Sequence, residues 1–287
     1  MLPSYVKSLV ESKDPVDKIW EILLDIWKPV DDLKEYFRKE SCESNFEFEL
    51  NNVFFEIYRY LHDRISKASR RLQPPLIIVD GMSIREGNLL VRDLKSRGYR
   101  VLSYTYGFSA LPSDTPSFRR TFRHSYIEVR SGEVPPIINP DVPVWISYPD
   151  EILHHAARVV KPPEAYERTR NVVLRVLDRI TESCILTITS DHGYIMVDTR
   201  WPMSPEAEKF LKSIFGGSRF LRLEEMEERM IERLRKIPEE KSYVFMDNEY
   251  CYVKGRYFWH VSGYRKVVSH GGLSLMECIV PMITVEI

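Results

Sequence analysis

The apolar positions of this chain change period near residue 74. Ahead of that point they recur at helical spacing. Ser12 or Asp14 stands before Val16, Ile19, Trp20, Ile22, Leu23, Ile26 and Trp27, an apolar stripe behind a capping residue, which predicts a helix. A second helix is predicted over 46–72, with Phe54, Ile57, Tyr58, Leu61 and Ile65 on one face and Lys67, Arg70 and Arg71 at its C-terminal end, where cations suit the helix dipole. Both are expected to pack on the body or on each other. Docking to a protein partner through the spare Trp residues is the alternative use. His62, inside the second helix, reads as structural.

After Gln73-Pro74-Pro75, strands and helices alternate. Leu76-Ile77-Ile78-Val79 is an unbroken apolar run of the kind buried on both faces of a sheet. A helix is predicted over 88–97, a strand over 100–106, a loop over 107–114, a strand over 142–147, a helix over 164–179 and a strand over 185–189. This alternation predicts an α/β fold with a mostly parallel sheet flanked by helices. Residues 194–265 break the rhythm, with a charged helix over 221–236 and aromatic antiparallel strands at 243–246 and 249–253. They read as an inserted cap over the sheet edge, before a last strand at 279–283. The domain reading is a helical segment at 1–73 and an α/β domain at 74–287 that contains the cap.

Composition narrows the setting. With 287 residues, 44% hydrophobic and 29% charged, the chain is an ordinary soluble globular protein, and a net charge of −1 gives no global attraction to nucleic acid or anionic membrane. The four cysteines (Cys42, Cys184, Cys251, Cys278) form no CxxC pair, so neither a zinc finger nor a disulfide framework is expected and a reducing cytoplasm is the simplest home. The first residues lack the apolar core of a signal peptide, and no apolar run reaches the roughly 18 residues of a membrane span.

The chemistry gathers where strands end. IIVD stops at Asp80, VWISYPD at Asp150 and TITSD at Asp191. Parallel strands expose their C-terminal residues along one edge, where α/β proteins bind ligands. Three carboxylates there repel one another unless divalent cations neutralise them. Imidazoles accompany them. His154 lies one helical turn after Asp150, so both can reach one ion; His192 adjoins Asp191; His270 precedes Gly271-Gly272, which permit a close backbone approach. Mixed carboxylate and imidazole ligands suit Zn²⁺ or Mn²⁺ better than Mg²⁺ or Ca²⁺. Leu111-Pro112-Ser113-Asp114-Thr115-Pro116 offers a nucleophile: Thr115 is expected as the N-cap of a helix starting at Pro116, whose positive end would favour an alkoxide and an arriving phosphate. Arg119, Arg120 and Arg123 are placed to reach phosphate oxygens.

In this order, LPSDT, YPDEILH, TSDHG and SHGG resemble the motifs of the alkaline phosphatase superfamily. VDGMS, ALPSDTPSFRR, TSDHGY and SHGGLSLMECIVP are similar to segments of its PglZ-domain branch. The resemblance covers residues 74–287. It implies two divalent cations, one held by Asp150, His154 and His270, the other by Asp80, Asp191, His192 and the Thr115 hydroxyl. It implies a threonine nucleophile, with Thr115 ahead of Ser113 and Ser83, and leaves open whether His154 or His155 points inward. His124 and His260 rank below the named ligands. The activity implied is hydrolysis of phosphate esters, chiefly as a phosphodiesterase, and the near-zero net charge makes a nucleotide or short oligonucleotide a better substrate than long duplex DNA. The cap aromatics Tyr243, Phe245, Tyr250, Tyr252, Tyr257, Phe258 and Trp259 could stack a nucleobase or form the cap's own core. A non-catalytic interaction module of a prokaryotic defence or signalling system is the alternative. No cysteine lies near 113–115, which argues against a sulfatase.

Overall fold

The computed structural model describes residues 4–68, 72–154, 160–238, 241–261 and 266–287. The chain opens with α1 (Ser4–Glu11), α2 (Pro15–Ile26), α3 (Leu33–Arg38), α4 (Glu40–Val53) and α5 (Ile57–Lys67). Asp14 caps α2 by accepting the Val16 N–H at 3.0 Å, as its position ahead of the stripe predicted. The helix expected over 46–72 is instead two. Phe54 leaves helical geometry (φ −132°, ψ 72°) and packs against the core, while α4 starts six residues earlier at Glu40. Arg70 and Arg71 lie outside the described residues.

The body follows as β1 (Leu76–Val79), α6 (Ile84–Ser96), β2 (Arg100–Phe108), α7 (Thr115–Thr121), β3 (Ile127–Val129), β4 (Val144–Ile146), α8 (Asp150–His154), α9 (Pro162–Leu177) and β5 (Ile185–Thr189). Next come β6 (Ile195–Met196), α10 (Pro205–Phe215), β7 (Phe220–Arg222), α11 (Glu228–Arg235), β8 (Val244–Met246) and β9 (Tyr250–Val253). The chain closes with β10 (Val268–Ser269), α12 (Leu275–Cys278) and β11 (Ile279–Glu286).

Six strands form one mixed, mostly parallel sheet in the order β2-β11-β5-β1-β4-β3, with β11 antiparallel to both of its neighbours. β1 lies at its centre and is buried on both faces. Ile77 and Val79 pack with Val144, Ile146, Val173 and Ile188, whereas Leu76 and Ile78 pack with Phe118 and Trp145. Two-sided burial explains a strand with no polar alternation; each such side chain contributes about 1.5–3 kcal/mol. The register decides the site. Val79 stands opposite Ile146 and Ile78 opposite Thr189, so three parallel strands end nearly level.

The charged stretch 221–236 is not one helix. Phe220–Arg222 pairs with Tyr250–Tyr252 as part of a three-stranded antiparallel sheet, β7-β9-β8, and helix resumes only at Glu228. Cross-strand aromatic contacts at Phe220 and Tyr250 favour the strand over local helix propensity. Trp20, Trp27, Tyr36, Leu50 and Tyr58 of the N-terminal helices share one apolar cluster with Trp201, Tyr252, Trp259 and Leu275. Both tryptophans of α2 and its C-cap are thus buried, and so are Tyr250, Tyr252, Tyr257, Phe258 and Trp259 in the stretch expected as a cap. No described helix is long and apolar enough to cross a membrane.

Candidate metal centre

The three acids predicted at strand ends meet. Asp80 follows β1 and donates its N–H to Ile146 O at 2.8 Å; Asp150 N–H in turn reaches Asp80 O at 3.2 Å. Asp191, two residues past β5, accepts the Gly81 N–H on Oδ1 at 3.1 Å. Gly81 has φ +74°, and a Cβ there would stand 3.0 Å from the Asp150 Cβ, so the close approach of these two loops requires glycine. The ribbon β6–β10 sets the imidazoles. Ser269 pairs with Ile195, which brings His270 back against the 191–194 turn, with the His192 and His270 rings stacked 4.2 Å apart.

Among the described residues, two groups of side chains have ligand atoms within 4.8 Å of one another: Asp80, Asp191 and His192, and Asp150, His192 and His270. The first is the set expected for one ion. The second differs from expectation, because His192 faces both groups and His154 stands outside the tight one. His154 Nε2 is still only 3.2 Å from Asp150 Oδ1, and the His154 and His270 rings meet edge to face at 5.0 Å. His155 lies outside the described residues.

Thr115 joins the first group. Its hydroxyl Oγ1 is 2.6 Å from Asp191 Oδ2, 3.2 Å from His192 Nε2 and 3.3 Å from Asp80 Oδ1. The expected capping role is not its own. Asp114 is the N-cap, accepting the Ser117 N–H at 2.8 Å, and Thr115 is the first helical residue. Asp outcompetes Thr for the cap, and the threonine hydroxyl is left to face the carboxylates. The rival hydroxyls are committed elsewhere. Ser113 donates to Gly272 O at 2.7 Å and accepts the Gly271 N–H; Ser83 bonds Glu86 and Arg85 in a capping box.

The electrostatics show a site with more donors than protons can serve. Burial, then Asp191 and Asp150, push the Asp80 carboxyl well above the usual carboxylate range. Burial opposes charge on His192, yet Asp191, Asp150 and Asp80 outweigh it and raise the imidazole to about 9. Burial and the neighbouring His192 lower His270 to about 3. Asp150 is buried too, but His270, His154 and His192 hold its carboxyl below the ordinary range. Without a cation, protons must be shared among mutually repelling groups.

The donor set fits divalent metal. His192 Nδ1 lies 2.9 Å from Gly193 O, so Nδ1 carries the hydrogen and Nε2 is the atom turned to the acids, the arrangement that metal-binding imidazoles use. His270 Nδ1 is buried without a hydrogen-bond partner among the described residues. Trp145 Nε1–H donates to Asp80 Oδ2 at 3.2 Å, which turns Oδ1 towards Thr115. Sequence reasoning missed this tryptophan, because a residue inside a buried strand carries no polar signal.

Other expected residues lie apart from these groups. Arg119 sits over the Trp145 ring at 4.7 Å and pairs with Glu128, and Arg120 bonds Ser117; both are exposed, as is Arg123. His62 pairs with Asp247 at 3.0 Å, His124 packs on Phe122, and exposed His260 contacts Arg200.

No family model matches the chain, and no curated protein matches it by sequence. Solved structures give distant likenesses to members of the alkaline phosphatase superfamily. Phosphonoacetate hydrolase from Sinorhizobium meliloti is 16% identical at a TM-score of 0.28, over 50% of this chain and 46% of that one. The alkaline phosphatase PafA is 11% identical at 0.28, over 51% and 40%. Murine ectonucleotide pyrophosphatase/phosphodiesterase 5 is 12% identical at 0.24, over 50% and 47%. The matched region spans less than half the length of each of these proteins.

Proposed function

We propose that the chain is a divalent-metal-dependent hydrolase of phosphate esters with Thr115 as nucleophile. One observation carries the reading: the Thr115 hydroxyl lies within 3.3 Å of two acids and an imidazole in a buried Asp/His cluster. Asp80, Asp191 and His192, with Thr115, would hold one cation; Asp150 and His270, with His154 beside them, would hold the other. Bound there, two divalent cations supply positive charge for the phosphoryl oxygens and lower the pKa of the nucleophile. Zn²⁺ suits this donor set, and Mn²⁺ is second.

The chain's own groups then have distinct work. Thr115 Oγ1 gives up its proton and forms a bond to phosphorus as the bond to the leaving oxygen breaks. The leaving oxygen takes a proton. Water then attacks phosphorus, the P–Oγ1 bond breaks, Thr115 recovers a proton and the phosphate product departs. Asp191 Oδ2, at 2.6 Å, orients the hydroxyl, and Trp145 fixes Asp80 from behind. Pro112-Ser113-Asp114-Thr115 resembles the Pro-Thr-x-Thr stretch that ends on the nucleophile in related phosphodiesterases, which supports diesters, and the near-neutral net charge favours nucleotides or short oligonucleotides over long duplexes. The PglZ likeness of the motifs supports that narrower family.

Hydrolysis of bis-p-nitrophenyl phosphate and p-nitrophenyl phosphate with added Zn²⁺ or Mn²⁺ tests the reading. Thr115→Ala and Asp191→Ala should each lower turnover by roughly 10³-fold or more. Metal binding by the wild type with cleavage of neither ester would overturn it in favour of an interaction module.

A further inference from the structure

We infer that helix α4 is a strut of the metal centre, fixing from behind the two loops that carry His192 and His270. Glu40, Glu43 and Glu47 lie at helical spacing on one face of α4, and all three are buried. Such a face is ordinarily solvated. Here it is inserted into the body, and its two ends reach different loops.

Glu40 pairs with Arg85, which follows the Asp80 loop in α6 and is fully buried. Arg85 uses all its arms. Nε donates to Ser83 Oγ at 2.9 Å, NH1 to Glu40, and NH2 to Tyr194 O at 2.5 Å, with the guanidinium stacked 4.1 Å over the Tyr194 ring. Tyr194 stands two residues after His192, and its hydroxyl donates to Glu86 at 2.7 Å. The first end of the strut therefore grips the His192 loop through one arginine.

Glu47 serves the other loop. Its Oε1 accepts the Leu275 N–H at 2.8 Å and the Tyr58 hydroxyl at 3.0 Å. Leu275 opens α12, directly behind His270-Gly271-Gly272. Glu277 of that helix accepts the Gly272 N–H at 2.8 Å, and its carbonyl accepts the Gly193 N–H at 3.0 Å, tying the two loops together. Arg256 joins the strut's ends, contacting Glu40 at 2.6 Å and Glu47 at 3.8 Å as well as Glu43 between them. Ligand loops held by a buried charged network meet the demand that a metal site be preorganised. Glu40 and Glu47 are accordingly positioning residues, and the N-terminal helices belong to the functional unit.

The metal arm of the test rests on the function proposed above; the exchange arm does not. In the full chain, Glu47→Ala is expected to weaken Zn²⁺ binding, measured by competition with a chromophoric chelator, about 10- to 100-fold. In metal-free protein the same change should speed amide exchange in peptides covering 191–197 and 269–278, with β1 and β5 peptides unchanged. Glu47→Gln keeps an acceptor for Leu275 and should stay within about threefold of wild type in both measurements. Should Glu47→Ala not fold, Glu47→Asp, whose carboxylate is one methylene short of Leu275, takes its place under the same criteria. Unchanged affinity and loop exchange, or faster exchange spread evenly over the sheet, overturns the inference. A wild type that binds no metal overturns the proposed function instead and leaves the exchange result to decide this one.

Discussion

Glu40→Gln and Glu43→Gln change neighbouring carboxyls on one helix face, yet they should behave oppositely. Glu40 contacts both Arg85 and Arg256; burial disfavours its charge, but the two guanidiniums outweigh burial and hold its carboxyl below the ordinary range. Glu43 contacts only Arg256 of the pair. That contact favours the charged form, but burial, with Glu47 and Glu40 alongside, prevails and pushes Glu43 up to about 8. At pH 7 Glu43 therefore keeps its proton, and Gln is its neutral isostere. The expected loss of stability is within about 1 kcal/mol. Glu40→Gln instead removes a counter-charge shared by two buried guanidiniums and should cost about 3–5 kcal/mol.

The pH dependence has a definite sign. The folded value of Glu43, about 8, exceeds the ordinary 4.5, so between them the folded protein holds a proton that the unfolded chain has lost. That stabilisation is full below the unfolded value and disappears as pH rises through the folded one. Through this window the slope attributable to the group is up to about 1.4 kcal/mol per pH unit. Glu47, raised to about 6 chiefly by burial, acts lower down, so pH 6.5 to 8.5 separates Glu43 from Glu47. Urea unfolding of chelated protein across that range should show wild type losing stability and Glu43→Gln losing markedly less. The metal-site groups titrate alike in both proteins and drop out of the difference. Equal destabilisation by the two substitutions at pH 7, or an unchanged slope in Glu43→Gln, would refute the assignment of the proton.

Three further substitutions address the site. Ser113→Ala should leave ester hydrolysis in place while lowering stability by about 1 kcal/mol in thermal unfolding, since Ser113 bonds Gly272 O and Gly271 N and faces no acid of the cluster. Trp145→Phe keeps an aromatic ring in the sheet but removes the N–H held by Asp80; Zn²⁺ affinity by chelator competition should fall about tenfold, beside a loss of about 1–3 kcal/mol from the cavity left by the smaller ring. Gly193→Ala puts a Cβ at 2.1 Å from the Met276 carbonyl oxygen, a backbone atom that cannot swing aside; calorimetry should show a loss of about 1–3 kcal/mol, with metal affinity lowered as the His192 loop shifts.

What could be read from the chain alone follows from how local each signal is. Asp80, Asp150 and Asp191 were legible because each marks the point where a buried apolar run turns polar, and the level ends of β1, β4 and β5 then place them together. Thr115 was legible as a hydroxyl in a turn before a helix, but its exact role there was not. Ser113, Asp114 and Thr115 are all good caps, and only the folded backbone chooses Asp114, the choice that frees the threonine. The single helix expected over 221–236 failed for a related reason: Phe220–Arg222 is satisfied by β9, some 30 residues on, and no local window contains that partner. The α4 carboxylates were hidden more deeply. Glu40, Glu43 and Glu47 look like the wet side of a helix until Arg85 and Arg256 arrive, the second of them 213 residues from Glu43. A buried ion pair leaves no trace in periodicity, because the same letters serve for a solvated face. Residues that touch the reacting atoms tend to announce themselves by being polar where the pattern demands apolar. Residues proposed to hold that cluster in place do not: Glu40, Glu43 and Glu47 come from the N-terminal helices, and Arg85, Arg256 and Glu277 from the body.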